Sequence, residues 1–294
     1  MDMTQNKCCR HGASLRRRRC RRRKILRSII FSCSIIAVAV FVAVGSSMIR
    51  SGDGRKNRYD VEAGNNTYDN AVIENSKISE KNKIQNNQSM LDDIMNSTQY
   101  PKQLKDLALK NEEALEFVYD YPAEHVKEHT IDLTEEASMD SVPLFVQWDK
   151  RWGYEKYSGN FFAASGCGPT TLSMVVVYLT HDREASPIAV AKYSKEAGYS
   201  VDGSGSSWTL ISEGCMHYGV KAKSVALDES RMKAELDEGH PIVVNVGPGD
   251  FTVITGYDDE GFSINDPNSI EKSGKRWLFK NISSQIRAVW SMYV

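Results

Sequence analysis

The stretch GPGDFTVITGYDDEGFSINDPNS, residues 247–269, decides the fold class of this chain. It holds two runs rich in β-branched and aromatic residues, FTVITGYD and FSINDP, separated by the acidic turn DEG. Such runs, bounded by turn residues, predict antiparallel strands. Similar runs precede this stretch as PIVVNV and end the chain as AVWSMYV. Together they predict an antiparallel strand meander in which the GPGD turn joins the first two strands.

The segments before this meander have a different, helical character. Three of them predict helices: GPTTLSMVVVYL, SPIAVAKYSKEAG and SSWTLISEGCMHYG. The first carries Pro169 near its first turn, where a missing N–H is harmless. Further upstream, VPLFVQWDKRWG predicts a short strand followed by a turn. Helices followed by a strand meander predict an α+β domain over residues 141–294.

The N-terminal part of the chain carries a signal for membrane topology. Residues 1–24 are rich in arginine, and Ile29 to Ile49 carry no charge. At about 1.5 Å per residue, a helix of that length spans about 30 Å, which is the thickness of a bilayer core. We therefore expect a basic cytoplasmic segment at 1–24, a transmembrane signal-anchor at 25–49, and the rest of the chain outside the cell.

Two other interpretations of residues 1–49 remain at this point. The small residues Ala43 and Gly45 offer a cleavage site, and cleavage there would release a secreted protein. The arginine run is also compatible with nucleic-acid binding. The adjacent apolar segment already gives those arginines a topological role, so we expect no nucleic-acid partner.

Two further segments precede the domain. Residues 50–96 are polar and asparagine-rich, which predicts a flexible extracellular stalk. Residues 97–140, called the upstream segment below, contain YPKQLKDLALKNEEALEFVYDYP. The spacing of their apolar residues predicts short amphipathic helices that pack on the domain.

Cys167 is the candidate nucleophile. Gly166 and Gly168 beside it leave room for a substrate backbone, and the helix that follows points its positive dipole end at the sulfur, which favours the thiolate. Most buried cysteines are only small apolar residues, so this feature is weak by itself. The other cysteines precede or lie within the predicted anchor, except Cys215, so Cys167 and Cys215 allow a single disulfide.

Four motifs carry a resemblance to a known family: VPLFVQWDKRWGY, GCGPTTLSMVVVYL, GSSWTLISEG and FSINDPNS. With them, the chain resembles the bacterial C39-like peptidase family, which has a papain-like cysteine peptidase fold. The resemblance implies that Cys167 is the nucleophile, that Gln147 helps to form the oxyanion hole, and that Asp266 orients a catalytic histidine. It also implies a peptide or protein ligand, with cell-wall material as another option, and no metal or organic cofactor.

The chain departs from this pattern where the histidine is expected. Family members open the strand with histidine, in a sequence such as GHFIVLTGYD, whereas here GPGDFT leads directly into VITGYD. Without a gap, Asp250 takes the place of the histidine; with a gap, about six residues that carry it are missing. An aspartate titrates near pH 4, and its charge opposes a neighbouring thiolate, so Asp250 is a poor base.

Three hypotheses follow from this departure. The domain is a degenerate peptidase that binds a ligand without cutting it, or it is a working hydrolase that uses an unrecognised base. The third hypothesis is a nonfunctional form of an active parent, which predicts a shortened strand after GPGDFT and an exposed core. We expect reduced or absent catalysis.

Overall fold

The computed structural model describes residues 66–294 of the protein. The strands of this region are β1 (Lys156–Tyr157), β2 (Asn160–Phe161), β3 (Ser200–Val201), β4 (Gly205–Ser206), β5 (Lys221–Ser224), β6 (Ile242–Gly247), β7 (Asp250–Asp258), β8 (Gly261–Asn265), β9 (Arg276–Trp277) and β10 (Ala288–Tyr293). The last six form an antiparallel sheet in the order β5-β10-β6-β7-β8-β9. Val244 pairs with Thr252 and Ile254 with Ile264, which confirms the predicted meander.

Helices surround this sheet and form the segment before it. In residues 66–294 they are α1 (Asn66–Asn96), α2 (Lys102–Ala108), α3 (Leu115–Tyr119), α4 (Tyr121–Glu124), α5 (Thr134–Ala137), α6 (Phe162–Ser165), α7 (Cys167–Thr180), α8 (Pro187–Glu196), α9 (Thr209–Ser212), α10 (Glu229–Asp237), α11 (Ile270–Ser273) and α12 (Phe279–Ile282). Short 3₁₀ turns lie at Glu112–Ala114, Gly214–Tyr218 and Ser283–Gln285. The predicted α+β class is confirmed.

Helix α7 is the central packing element. Every residue from Cys167 to Val177 is buried, because one side of the helix packs on the sheet and the other on α8 and α9. A helix that is apolar on all sides must be enclosed in this way. On the sheet side, Phe251 and Val253 of β7 join the same core cluster as Leu172. The packing of α7 against β7 therefore determines where Cys167 lies.

The upstream segment packs on the domain through its own apolar cluster. Leu104, Leu107 and Val118 are buried there together with Phe161 and Ala163 of the domain. Each short helix buries only one side, so it gains stability from this packing rather than from its length.

The stalk prediction is wrong for the part that the structure describes. Residues 66–96 form helix α1 instead of an irregular chain. Near its end Ile94 is fully buried, and Met90 and Leu91 pack on the same cluster as the upstream helices. These apolar residues are too few to change the average composition of residues 50–96, so the composition did not indicate the helix. The earlier part of the stalk, the predicted anchor at 25–49 and the basic segment at 1–24 lie outside the described residues.

The strand predicted at the start of VPLFVQWDKRWG is also corrected. Val142–Val146 form no strand, and Gln147 lies in a turn. The segment is held by side chains instead, since Asn265 Nδ2 donates hydrogen bonds to the carbonyl oxygens of Val142 and Pro143, both at 3.0 Å. Local β character is insufficient when no neighbouring strand is free to pair.

Within residues 66–294, no helix combines the length and the apolar character that a membrane crossing needs.

Candidate active site

Cys167 lies at the beginning of α7 and lines a cleft of about 370 Å³. The cleft is bounded by the β6–β7 turn, the loop at 203–205, the end of α6 and the upstream segment. Gln147, Asp250 and Asn268 line it as well. The structure thus brings together three of the four residues that sequence reasoning selected, and it leaves Asp266 at an adjoining cavity.

The thiol of Cys167 is hydrogen-bonded to the backbone of β7. The N–H of Phe251 donates to Sγ over 3.1 Å, and the thiol donates to the carbonyl oxygen of Phe251 over 3.2 Å. The side chain is 8% exposed. Burial raises the pKa of Cys167, the Phe251 hydrogen bond opposes that shift, and the charges of Asp250 and Asp266 add to it. Desolvation is the largest of these effects and outweighs the Phe251 hydrogen bond that favours the thiolate. The expectation that the helix dipole favours the thiolate stays a prediction.

Asp250 is the first residue of β7 and directly precedes Phe251. Its backbone is fixed by the buried Asn245, whose Nδ2 donates to the carbonyl oxygens of Asp250 and Gly247 at 3.0 and 2.7 Å. Its carboxylate is exposed to the cleft and has no hydrogen-bond or ion-pair partner among residues 79–294, whose side chains the structure describes. Partial desolvation and the charge of Asp266 raise the pKa of Asp250, while Lys272 opposes the shift.

Asp266 follows β8 and is already paired. Its Oδ2 lies 3.3 Å from Nζ of Lys272, and its Oδ1 accepts a hydrogen bond of 2.9 Å from the N–H of Asn268. The resemblance implies an imidazole as the partner of this carboxylate. In this chain a lysine ammonium provides the positive charge instead.

Gln147 has both of its amide hydrogens engaged. Nε2 donates to the carbonyl oxygen of Ala163 at 2.9 Å and to Oδ1 of Asn268 at 3.1 Å. Its Oε1 is buried and accepts no hydrogen bond. In this arrangement the side chain has no free N–H for an oxyanion, so a role in an oxyanion hole requires that Asn268 first release it.

The upstream segment holds the loop that contains Asn268, and sequence reasoning missed this contact. Asn111 Nδ2 donates to the carbonyl oxygen and to Oδ1 of Asn268 at 3.0 and 3.1 Å. The Glu113 carboxylate accepts from the N–H groups of Ile270 and Glu271 at 2.7 and 3.0 Å, and from the hydroxyl of Ser269. More than 150 residues separate these partners, so no local pattern could have indicated them. Asn268 itself stands in the quoted FSINDPNS motif, which was the available signal.

No histidine among residues 66–294 lines the cleft. His181 ends α7 at the opposite end from Cys167 and bonds the Ala137 carbonyl oxygen at 2.8 Å. His217 stacks on Tyr193, and His240 lies 3.3 Å from the carboxylate of Glu235. The other two, His125 and His129, are in the upstream segment, beside Tyr121 and Glu124.

The hypothesis of a shortened strand with an exposed core is not met. β7 runs from Asp250 to Asp258 and pairs with β6 on one side and β8 on the other. Phe251 and Val253 are fully buried. The conceivable disulfide is absent as well, since Cys167 and Cys215 are both free thiols in buried positions.

One cluster in the described region has the residue types of a metal site. Glu235, Glu238 and His240 offer ligand atoms within 4.8 Å of one another. Glu235 already accepts hydrogen bonds from Lys223 at 2.8 Å and Ser291 at 2.7 Å, so packing and ion pairing account for its position. The cluster is separate from the cleft.

Comparison with known proteins identifies the family. A sequence model described as the Peptidase_C39 like family matches residues 139–294, which is more than half of the chain. The chain belongs to the Peptidase_C39 like family. Its α+β, papain-like fold agrees with this membership.

Among solved structures, this C39-like chain matches the peptidase domain of Streptococcus ComA, a bifunctional ABC transporter involved in a quorum-sensing pathway. The identity is 18%, the TM-score is 0.39, and the match covers 52% of this chain and 96% of that chain. No curated protein matches the chain.

Three of the four residues of the C39-like pattern line the cleft. Cys167, at the start of α7, accepts a hydrogen bond from Phe251, which follows Asp250 at the start of β7. The resemblance places the nucleophile and the histidine at the positions of Cys167 and Asp250. Gln147 lines the same cleft with its amide hydrogens engaged. Asp266 contacts Lys272. A cleft is present beside Cys167, and the described residues supply no imidazole to it.

Proposed function

We propose that this protein is a membrane-anchored, extracellular C39-like protein whose cleft binds peptides without hydrolysing them. One observation carries the proposal: Asp250 opens β7 beside a buried Cys167 thiol, in the place where the resemblance puts the catalytic histidine. A carboxylate there withholds the positive charge that would stabilise a thiolate.

The chemistry of the site supports binding over catalysis. Loss of a triad's general base costs several orders of magnitude in rate and leaves mainly binding and oxyanion stabilisation. The thiol is protonated at neutral pH, because its burial raises its pKa. Since thiols attack as thiolates, Cys167 is a poor nucleophile.

The shape and lining of the cleft support a peptide as the ligand. Its volume of about 370 Å³ is in the range of ligand sites, and its lining combines glycine backbone at 203 and 205 with polar side chains. Exposed backbone and amide groups suit an extended peptide or protein segment, and cell-wall peptides share that chemistry. No metal or organic cofactor takes part in this proposal.

The decisive experiment compares the full-length protein with Cys167→Ala on a peptide library derived from a proteome digest. We expect both proteins to retain the same subset of peptides. We also expect mass spectrometry to show no new peptide termini with either protein. Cleavage that depends on Cys167 would overturn the proposal and establish a working hydrolase. Failure of both proteins to retain peptides would refute the binding role.

The proposed location has a separate test. Epitope tags before Met1 and after Val294 are followed in intact cells treated with external protease. We expect loss of the C-terminal tag only, with the N-terminal tag and the full-length mass retained in the membrane fraction. A soluble, shortened product that begins near residue 46 would instead establish secretion after signal cleavage.

A further inference from the structure

The cleft contains an unpaired carboxylate beside the cysteine. Asp250 lines the cleft, its side chain is exposed, and no group of residues 79–294 forms a hydrogen bond or ion pair with it. Its backbone is held by the buried Asn245, so the start of β7 determines where the side chain enters the cleft. A carboxylate without a partner gains most from a ligand that carries a positive charge.

Nearby charges do not already neutralise Asp250. Asp266 takes up the ammonium of Lys272 at 3.3 Å, and the Cys167 thiol carries no charge at neutral pH. Asp106 of the upstream segment also lines the cleft, and its carboxylate is paired with the ammonium of Lys102 at 2.7 Å. Of the charged side chains that line the cleft in the described region, this leaves Asp250 and Lys110 unpaired.

A second observation favours a ligand that donates hydrogen bonds. Gln147 lines the same cleft, is 5% exposed, and has an Oε1 that accepts no hydrogen bond. A buried acceptor without a donor is unfavourable. Oε1 itself is sealed from solvent, so a ligand N–H reaches it only if the Gln147 side chain turns toward the cleft. Asp250, and Gln147 after such a turn, favour ligands that donate hydrogen bonds.

We propose that the cleft selects basic peptides, with a guanidinium or ammonium group of the ligand paired with Asp250 beside Cys167. The inference rests on the proposed function and names the ligand class for the same site. At the position where the resemblance places a catalytic histidine, Asp250 thus supplies a carboxylate that pairs with a cation of the ligand.

The test uses four heptapeptides of alanine and glycine and the full-length protein. Three are capped at both ends and differ only at the central residue, which is arginine, citrulline or glutamate. Citrulline keeps the shape of arginine and removes its charge. The fourth has central citrulline and a free amino terminus, which distinguishes a terminal ammonium from a basic side chain. Affinities are measured by isothermal titration calorimetry at low and high salt.

We expect the arginine peptide or the free-amine peptide to bind at least about fivefold more tightly than the capped citrulline peptide. The preference should weaken at high salt, since charge pairs at an open cleft are screened. In Asp250→Asn the preference should disappear. In Lys110→Gln it should remain or increase, because a repelling charge is removed. Asp259→Asn, which removes an exposed carboxylate of the β7–β8 turn, should leave the preference among the peptides unchanged.

The outcomes separate this inference from the proposed function. Equal binding of the capped arginine, free-amine and capped citrulline peptides would overturn the cation selection and leave peptide binding intact. A preference that persists in Asp250→Asn would assign the selection to another residue and would also overturn the inference. Absence of binding by every peptide would refute both.

Discussion

The backbone N–H of Phe251 and the thiol of Cys167 are joined by a hydrogen bond of 3.1 Å, and this contact ties the start of β7 to the start of α7. The thiol returns a hydrogen bond to the carbonyl oxygen of the same residue. The cysteine thus behaves as a buried polar side chain whose hydrogen-bonding capacity is satisfied by the backbone. Any activation of the thiol must overcome its burial and the hydrogen bond that it donates, whereas the N–H of Phe251 favours the thiolate.

The pH dependence of Cys167 alkylation tests this state of the thiol. Burial raises its pKa, so the reaction with iodoacetamide in the native protein should rise only above about pH 9, later than for a free cysteine. Peptide-resolved mass spectrometry separates Cys167 from the other cysteines of the full chain. Cys215, whose burial raises its pKa to about 11, serves as an internal control. A reaction midpoint below pH 7 at Cys167 would show an activating cation that this structure lacks.

Asp250→His is expected to restore part of the missing machinery. An imidazole that opens β7 beside Cys167 can accept the thiol proton and stabilise the thiolate, so the alkylation midpoint should fall by about one pH unit or more. Asp250→Asn removes the carboxylate charge without adding a base and is the matched control. Identical midpoints for the two variants would contradict an inherited catalytic geometry. The double variant Cys167→Ala/Asp250→His assigns any new hydrolysis to the thiol.

Gly249 is expected to tolerate no side chain. It has φ +75°, and a Cβ there would collide with the carbonyl oxygen of Ser204, another residue that lines the cleft. Gly249→Ala should therefore lower the free energy of unfolding by about 1–2 kcal/mol for the left-handed backbone, and by a further 1–3 kcal/mol or so for the collision. Gly239→Ala has the same backbone conformation with open space around it, so it measures the first contribution alone. If urea unfolding gave the same loss of unfolding free energy for Gly249→Ala and Gly239→Ala, the collision with Ser204 would be unimportant.

Glu113 is expected to stabilise the Asn268 loop. Its carboxylate accepts the N–H groups of Ile270 and Glu271, so Glu113→Gln should cost about 1–3 kcal/mol in the free energy of unfolding. The neighbouring Glu112 is exposed and accepts a hydrogen bond from Asn87, so Glu112→Gln should cost less than about 0.5 kcal/mol. Hydrogen exchange at Ile270 and Glu271 should become faster in Glu113→Gln alone. Unchanged exchange there would refute the role of this contact.

Glu235 is expected to make stability depend on pH. Its hydrogen bond with Lys223, together with those from Ser291 and His240, lowers the pKa of Glu235 to about 2. Because the folded-state pKa lies below the unfolded value, the stabilisation is present above about pH 4.5 and is lost as the pH falls through 2. Glu235→Gln should cost about 1–3 kcal/mol at pH 7 and approach the wild-type protein near pH 2. Glu238→Gln, at an exposed neighbour, is the control. If the cost of Glu235→Gln in unfolding free energy did not change with pH, the assignment of the pH dependence to Glu235 would be contradicted.

Local patterns predicted most of the domain because they report burial directly. β7 was predictable from its alternating apolar and β-branched residues, and α7 from its long apolar run with Pro169 near the start. The same reasoning failed at Val142–Gln147, where apolar residues suggested a strand but pack without a pairing partner. It failed again at α1, where Ile94 and its neighbours are too few to alter the average polarity of the segment.

Sequence by itself determined the family, the α+β class, and the presence of an aspartate where a histidine is expected, because these depend on the order of residues along the chain. Only the tertiary structure decided the state of the site. The pKa of Cys167 depends on burial and on charges that reach it from β7 and from the loop after β8. The engagement of Gln147 depends on Asn268, and Asn268 is held in turn by Asn111. Such contacts join residues far apart in the chain, and chain folding alone brings them within hydrogen-bond distance.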